Sequence, residues 1–424
     1  MKIHDEITQN TTTTCPACGL LCDDVVLNAT SLRSVKNNCT KSIAFFEQTV
    51  HNAAPSIAGK TTDLASAINA AADILANSQQ ALFAGLGTEV HGMRALMQLA
   101  EKTGATLDHM HSEGTVRNTL TLQNSGWQTT TLTEVKNRAD LILVIGTDII
   151  SSHPRFFENL LWNADSLFDK PTPELMYLVA AGTNTTPGIA PSGVAPTVVT
   201  AETAAFPEIF AALNALANNK HLATESVAGI ALSTLQSIVD RLKAARYAVI
   251  VWSASHLKFP QAELSVQSLT RLIAKLNETS RVAGLALNSG DGDTSVNNTS
   301  TWTSGYATRN RFNPLKNAGK AEYDNYHFST QRQLASCDAL VWISSFNPYP
   351  PPSSDVACIV IGHPNMKFDR PPAVFIPVSI PGLDQAGTMF RLDSAVALPL
   401  KKLRTSNLPS LNQVVQLINK SLSK

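Results

Sequence analysis

Four of the six cysteines in this chain fall within its first forty residues, at Cys15, Cys18, Cys22 and Cys39, and the next thiol is Cys337. The spacing C-x2-C-x3-C-x16-C lets one polypeptide wrap a single metal centre. A tight turn presents three thiolates together and the return to Cys39 supplies the fourth, as either a four-iron cluster or an all-thiolate zinc site requires. In a reducing compartment such clustering signals metal or redox chemistry in preference to a disulfide framework. The late pair, Cys337 and Cys358, adjoins apolar runs and reads as small buried hydrophobes.

Other motifs are less specific. His109-Met110-His111 puts two imidazoles on one side of an extended segment, a geometry for a metal pair, but without a carboxylate or thiol at ligand spacing beside it. Gly85-Leu86-Gly87 follows a strand and could admit a phosphate at a helix N-terminus; lacking the third glycine of a dinucleotide fingerprint, it also reads as a tight turn. Ser289-Gly290-Asp291-Gly292-Asp293 has carboxylates on alternate residues, like half a calcium loop, yet no glutamate follows, so it reads as a polar turn. His153-Pro154-Arg155 suits either anion binding through Arg155 or a proline-fixed turn before an apolar helix from Phe156 to Trp162. Tyr349-Pro350-Pro351-Pro352 is stiff and extended, suited to a connection or a contact with another chain.

The elements that must position these groups alternate strand and helix. A helix starts at Thr61-Thr62-Asp63 with Leu64, Ile68, Ala71, Ile74 and Leu75 on one face, and another spans Met93 to Thr103 and ends at Gly104. Apolar strands are read at 81–84, 140–145, 175–181, 247–252, 282–287, 339–343 and 358–361, with a helix at 262–276. This order predicts an α/β fold of parallel sheets flanked by helices. The segments 183–200 and 288–308 are Thr-, Ser-, Asn- and Gly-rich and read as long loops. With 424 residues and 44% hydrophobic content the chain can fill two or three domains. Its 33 basic and 33 acidic side chains cancel, which gives no field for nucleic acid or an anionic membrane. The opening Met1 to Thr14, with Asp5 and Glu6, lacks the apolar core of a secretory signal, and no apolar run reaches the roughly 18–20 residues that span a bilayer; the protein reads as cytoplasmic.

Several stretches taken in order resemble the B subunit of formylmethanofuran dehydrogenase, a branch of the molybdopterin oxidoreductases. They are Cys15-Pro16-Ala17-Cys18-Gly19-Leu20-Leu21-Cys22-Asp23-Asp24, Glu134-Val135-Lys136-Asn137-Arg138-Ala139-Asp140 with His153-Pro154-Arg155 behind it, Thr301-Trp302-Thr303-Ser304-Gly305-Tyr306, and Ile380-Pro381-Gly382-Leu383 with Gly387-Thr388 and Arg391-Leu392-Asp393. The resemblance covers essentially the whole chain. It implies a molybdopterin-oxidoreductase-like fold with a small cysteine-rich domain at 1–58, a discontinuous α/β domain at 59–165 and 325–424, a second α/β domain at 166–324, and no C-terminal β-barrel domain.

The departures set the expected function. The family's thiolate ligand to molybdenum or tungsten aligns at or near Gly114 of Ser112-Glu113-Gly114-Thr115, where there is no thiol; Ser112, two residues away, could offer an alkoxide. The acidic-x-Arg turn that grips the pterin nucleotide is replaced by Ala181-Gly182-Thr183-Asn184. The pattern resembles the bacterial formyltransferase/hydrolase branch found in methylotrophs. It implies a non-catalytic structural subunit in tetrahydromethanopterin-linked formaldehyde oxidation to formate, partnered by A, C and D type subunits and a methanofuran-like formyl carrier. The implied cofactor is a 4Fe-4S cluster at Cys15, Cys18, Cys22 and Cys39, with zinc as the alternative and no molybdopterin, molybdenum or tungsten. The rival reading is a redox-active dehydrogenase component carrying molybdenum or tungsten.

Overall fold

Single residues set many of the element boundaries. The Asp63 carboxylate accepts the Ser66 amide at 2.8 Å and caps the helix Leu64–Ala76. Glu89 opens Val90–Thr103, and Gly104, at φ 71°, ends it in the left-handed conformation that a side chain resists. The computed structural model describes residues 9–51, 53–162, 165–312 and 320–423. The first eight residues, on which the reading of the polar opening partly rests, lie outside the described residues. Among the described residues no helix is long and apolar enough to cross a membrane.

One unit comprises residues 1–112 and 290–424. Its nine-stranded sheet runs, edge to edge, Ala321–Tyr323, Asn310–Phe312, Thr106–Leu107, Ala81–Gly87, Ala339–Ser344, Ala357–Gly362, Val374–Pro377, Ser56–Ile57 and Lys60–Thr61. The pairings from Thr106–Leu107 through Val374–Pro377 are parallel, and those at both margins are antiparallel. Alternate residues of a strand face opposite sides. Val341, Ile343 and Ile361 therefore pack under Leu64–Ala76, Val90–Thr103 and Leu411–Ser421, while Leu340, Trp342 and Val360 join Leu82, Phe375 and Cys337 on the other face. The N-terminal strands Asn10–Thr13, Val25–Asn28 and Ser34–Lys36 form an antiparallel sheet followed by the helix Thr40–Phe46. Leu21, Val25, Leu27 and Phe46 share a core with Ile380, Leu383, Met389 and Leu400, so the cysteine segment is packed onto the chain's C-terminal stretch.

The other unit, residues 113–289, holds a five-stranded, wholly parallel sheet in the order Thr197–Thr200, Glu174–Val179, Leu141–Ile145, Ala248–Trp252 and Val282–Ala286. Phe206–Ala217, Leu232–Ala244 and Ala262–Leu276 pack their apolar stripes into its core, which holds Leu143, Phe210, Leu235, Trp252 and Leu269.

The fold departs from the sequence reading in three places. The chain changes unit at 112/113 and 289/290, where the resemblance puts 165/166 and 324/325. The reason is sheet pairing: Leu141–Ile145 lies between Glu174–Val179 and Ala248–Trp252, while Asn310–Phe312 pairs with Thr106–Leu107. The segment 183–200 ends in the edge strand Thr197–Thr200. Residues 288–308, which read as a loop, contain the helix Asp293–Ser304. Its polar side chains satisfy carbonyls one turn back, with Asn297 donating to Asp293 O, Thr301 to Asn297 O, Thr303 to Thr299 O and Ser304 to Ser300 O. Such bonds satisfy the polar side chains without strengthening the helix; the helix is seated by the burial of Ser295, Val296, Asn297, Thr299 and Ser300.

Candidate functional site

Two constellations in the first unit carry chemistry. In the first, Cys15 and Cys18 are buried, Cys22 and Cys39 are partly so, and none of the six cysteines is in a disulfide. The turn is closed by the Cys15 amide donating to Cys22 O at 2.9 Å, and Leu21 is held in left-handed backbone at φ 47°. Burial pushes the Cys15 thiol well above its ordinary range; the Ala17 amide opposes this, and the charges of Cys18, Cys22 and Cys39 add to it. The four thiols are thus electrostatic neighbours. Among the described residues no group of three or more His, Cys, Asp or Glu side chains is placed to hold a metal ion. The donor set is nonetheless of the kind that iron or zinc takes, four sulfur side chains on one packed segment, and a cation among them would favour their thiolate forms.

The second constellation follows the strand Thr106–Leu107. Asp108 pairs with Arg309 (Oδ1 to Nε 3.3 Å), both fully buried, and its other oxygen accepts the Thr330 amide and hydroxyl at 2.6 and 2.7 Å. Ser112 Oγ accepts from Arg309 Nη2 at 3.0 Å and Nε at 3.2 Å, so the hydroxyl that could have stood in for a metal thiolate is engaged by a cation. His111 Nε2 lies 2.9 Å from Asp291 Oδ2, and Asn347 Nδ2 donates to Asp291 Oδ1 at 2.6 Å. His109 Nε2 lies 3.2 Å from Asp291 O. The two histidines that read as a metal pair are therefore tied to a carboxylate and a carbonyl of the Asp291 turn.

These surroundings split the histidines. Burial holds His109 below the ordinary imidazole range, with the Asp293 charge opposing. Burial also works against the His111 cation, but the Asp291 hydrogen bond and charge outweigh it and the net direction is upward. His363, its Nε2 2.8 Å from Gln48 Oε1, is pushed down to about 4 by burial, with Asp384 opposing and Arg404 adding. The raised His111 contributes stability that is complete below the unfolded value of about 6.5 and fades as pH rises through its higher folded value. The depressed His363 does the reverse: its contribution is present above about 6.5 and fades as pH falls through about 4. An NMR titration should show the His111 midpoint above its ordinary value and His363 near 4. A His111 midpoint below about 6 would mean that the Asp291 pair is not formed in solution.

Other motifs resolve structurally. Gly85-Leu86-Gly87 lies inside the strand Ala81–Gly87, at an irregularity in its pairing with Ala339–Ser344. The helix N-terminus beyond it is already filled by protein, since the buried Glu89 carboxylate accepts the amides of His91 at 2.9 Å, Gly92 at 2.8 Å and Thr388 at 3.2 Å. A phosphate there would meet that carboxylate. Arg155, which reads either as an anion ligand or as part of a proline-fixed turn, is buried with Glu158 Oε1 at 2.8 Å from its Nη2, and His153 Nε2 lies 3.0 Å from Asn288 Oδ1. Cys337 is buried in the core and Cys358 is pushed up to about 12 by burial, as packing thiols are. Gly114 stands against the backbone of Ser255: a Cβ on it would lie 2.9 Å from Ser255 N and 2.9 Å from Ser255 Cβ. The Asp108–Arg309 and His111–Asp291 pairs are not legible from spacing; the carboxylates at Asp291 and Asp293 are the one available hint.

Fold and site define a mixed α/β protein with parallel sheet portions and a thiol-bearing N-terminal turn. Acetylene hydratase from Pelobacter acetylenicus shares the fold, with a TM-score of 0.62 at 10% identity, over 97% of this chain and 69% of that one. More particularly, the chain is similar to the B subunit of a formyltransferase/hydrolase complex and to B subunits of tungsten-containing formylmethanofuran dehydrogenase 2. It is 28% identical over 344 residues to the B subunit of the formyltransferase/hydrolase complex Fhc of Methylorubrum extorquens, covering 79% of this chain and 87% of that protein. A chain of the crystal structure of that complex with methylofuran superposes with a TM-score of 0.74 at 26% identity, over 87% of this chain and 99% of that one. The B subunit of the tungsten-containing formylmethanofuran dehydrogenase 2 of Methanococcus maripaludis is 24% identical over 422 residues, 92% of each chain. No family model matches the sequence.

Proposed function

We propose that this chain is the B subunit of a cytoplasmic formyltransferase/hydrolase complex, a non-catalytic structural component of tetrahydromethanopterin-linked formaldehyde oxidation to formate. The observation that carries the reading is the superposition on 99% of a chain of the complex crystallised with methylofuran. Its partners are the A, C and D type subunits, and the complex handles a methanofuran-like formyl carrier. Within this reading residues 1–58 form the cysteine-rich domain, and Cys15, Cys18, Cys22 and Cys39 hold a 4Fe-4S cluster, or zinc, that fastens the N-terminal segment to the C-terminal core. A bound cluster or zinc would supply cross-linking by metal–thiolate bonds.

The test is to purify the tagged chain from its native cells and to measure both its companions and its metals. Three further subunits in fixed proportion, with iron or zinc but neither tungsten nor molybdenum, are the expected result. Recovery of the chain alone, or one tungsten per chain with dye-linked formyl oxidation, would overturn it.

A further inference from the structure

We infer that this chain is closed to a side-chain ligand for tungsten or molybdenum at Gly114, at or near which the resemblance places that ligand, by its own backbone, and is not merely short of a thiol there. The inference rests on the proposed reading and deepens it, since it assigns a physical cause to the lack of redox chemistry that this reading expects. Gly114 lies in the first turn of Ser112–Ser125 and faces the short helical turn Ala254–His256. Any side chain at 114 starts with a Cβ, and that atom would sit 2.9 Å from Ser255 N, 2.9 Å from Ser255 Cβ and 3.1 Å from Ser255 Cα. Real Cβ atoms make such contacts rarely, and here the obstruction is largely main chain, which cannot swing away as a long side chain can.

The turn is also gripped by the helix that carries Gly114. Arg117 Nη1 donates to Ala254 O at 2.7 Å, and Trp252 Nε1 donates to Asn118 Oδ1 at 3.1 Å. Ser253 and Ser255 share a hydroxyl contact of 2.9 Å, and His256 Nδ1 lies 2.8 Å from Thr147 Oγ1. Yielding to a side chain at 114 would strain several of these bonds together. A thiolate could be restored in sequence at this place without being restored in space.

The experiment compares Gly114→Ala, Gly114→Cys and Gly114→Ala with Ser255→Gly in the full chain, co-expressed with its partners in a host that makes the pterin cofactor and is supplied with tungstate and molybdate. Gly114→Ala is expected to lower Tm by about 2–12 °C, Ser255→Gly to return part of that loss in the Gly114→Ala background, and Gly114→Cys to take up no tungsten or molybdenum. An unchanged Tm for Gly114→Ala, full recovery with Ser255→Gly, which would put the obstruction in the serine side chain and not in the backbone, or about one tungsten or molybdenum per chain in Gly114→Cys would each overturn the inference. Should Gly114→Cys fail to fold, the alanine pair still decides it. Failure of the functional reading is a separate outcome, read from the companions of the wild-type chain and from no substitution at 114.

Discussion

Asp108→Ala is expected to destabilise the protein by about 3–5 kcal/mol, the usual consequence of removing one partner from a buried ion pair. Asp108 and Arg309 are 2% and 3% exposed, so bulk water cannot take over the solvation of the guanidinium once the carboxylate is gone. The same carboxylate also accepts the Thr330 amide and hydroxyl. Arg309 is moreover held at φ 68°, a left-handed backbone that a non-glycine residue adopts at a cost, and the Asp108 contact helps to hold it there. Replacing both partners with apolar residues, Asp108→Leu with Arg309→Met, should cost less than either single change, because no stranded charge is left behind. Denaturant midpoints for the two singles and the double test this directly. A loss under about 1 kcal/mol for Asp108→Ala would mean that the pair is hydrated and that the strand-end turn is held by something else.

On the proposed reading, in which Cys15 is one of four ligands to a cluster or zinc, Cys15→Ser is expected to lower the bound metal and to loosen the N-terminal segment. Cys15 packs with Leu21, Val25, Phe46 and Phe346, and its sulfur sits within the electrostatic reach of the other three thiols. A structural thiolate site contributes on the order of 10 kcal/mol of binding free energy to the fold around it, so loss of one ligand should expose the segment to protease and drop iron or zinc per chain to background. Chelation of the wild type should reproduce the effect. Because the Cys15 thiol is raised by burial, binding must displace a proton and should weaken as pH falls. Cys337→Ser, in the core beneath the large sheet, should leave the metal content unchanged. Equal metal in Cys15→Ser and wild type would remove the cysteine site from the account.

Legibility from sequence follows the range of the interaction. The Asp63 cap, the Gly104 stop and the helix Ala262–Leu276 are all legible at or near their observed bounds because their causes lie within a few residues. The helix Asp293–Ser304 reads as loop because its composition is that of loops, and its hydroxyl-to-carbonyl bonds form only once the helix is seated. The His111–Asp291 bond joins residues 180 apart, a distance that no spacing rule crosses.

By itself, then, the sequence determined the alternation of strand and helix, the clustered thiols and the absence of a thiol at Gly114, since these depend on residue type and near neighbours. Tertiary structure alone decided that Leu141–Ile145 belongs to the five-stranded sheet, that Glu89 fills the helix end a phosphate would need, and that Ser255 stands where a side chain at 114 would go. The physical reason is that each of those outcomes is a packing contact between segments far apart in the chain, fixed by the volume and hydrogen-bonding needs of both together.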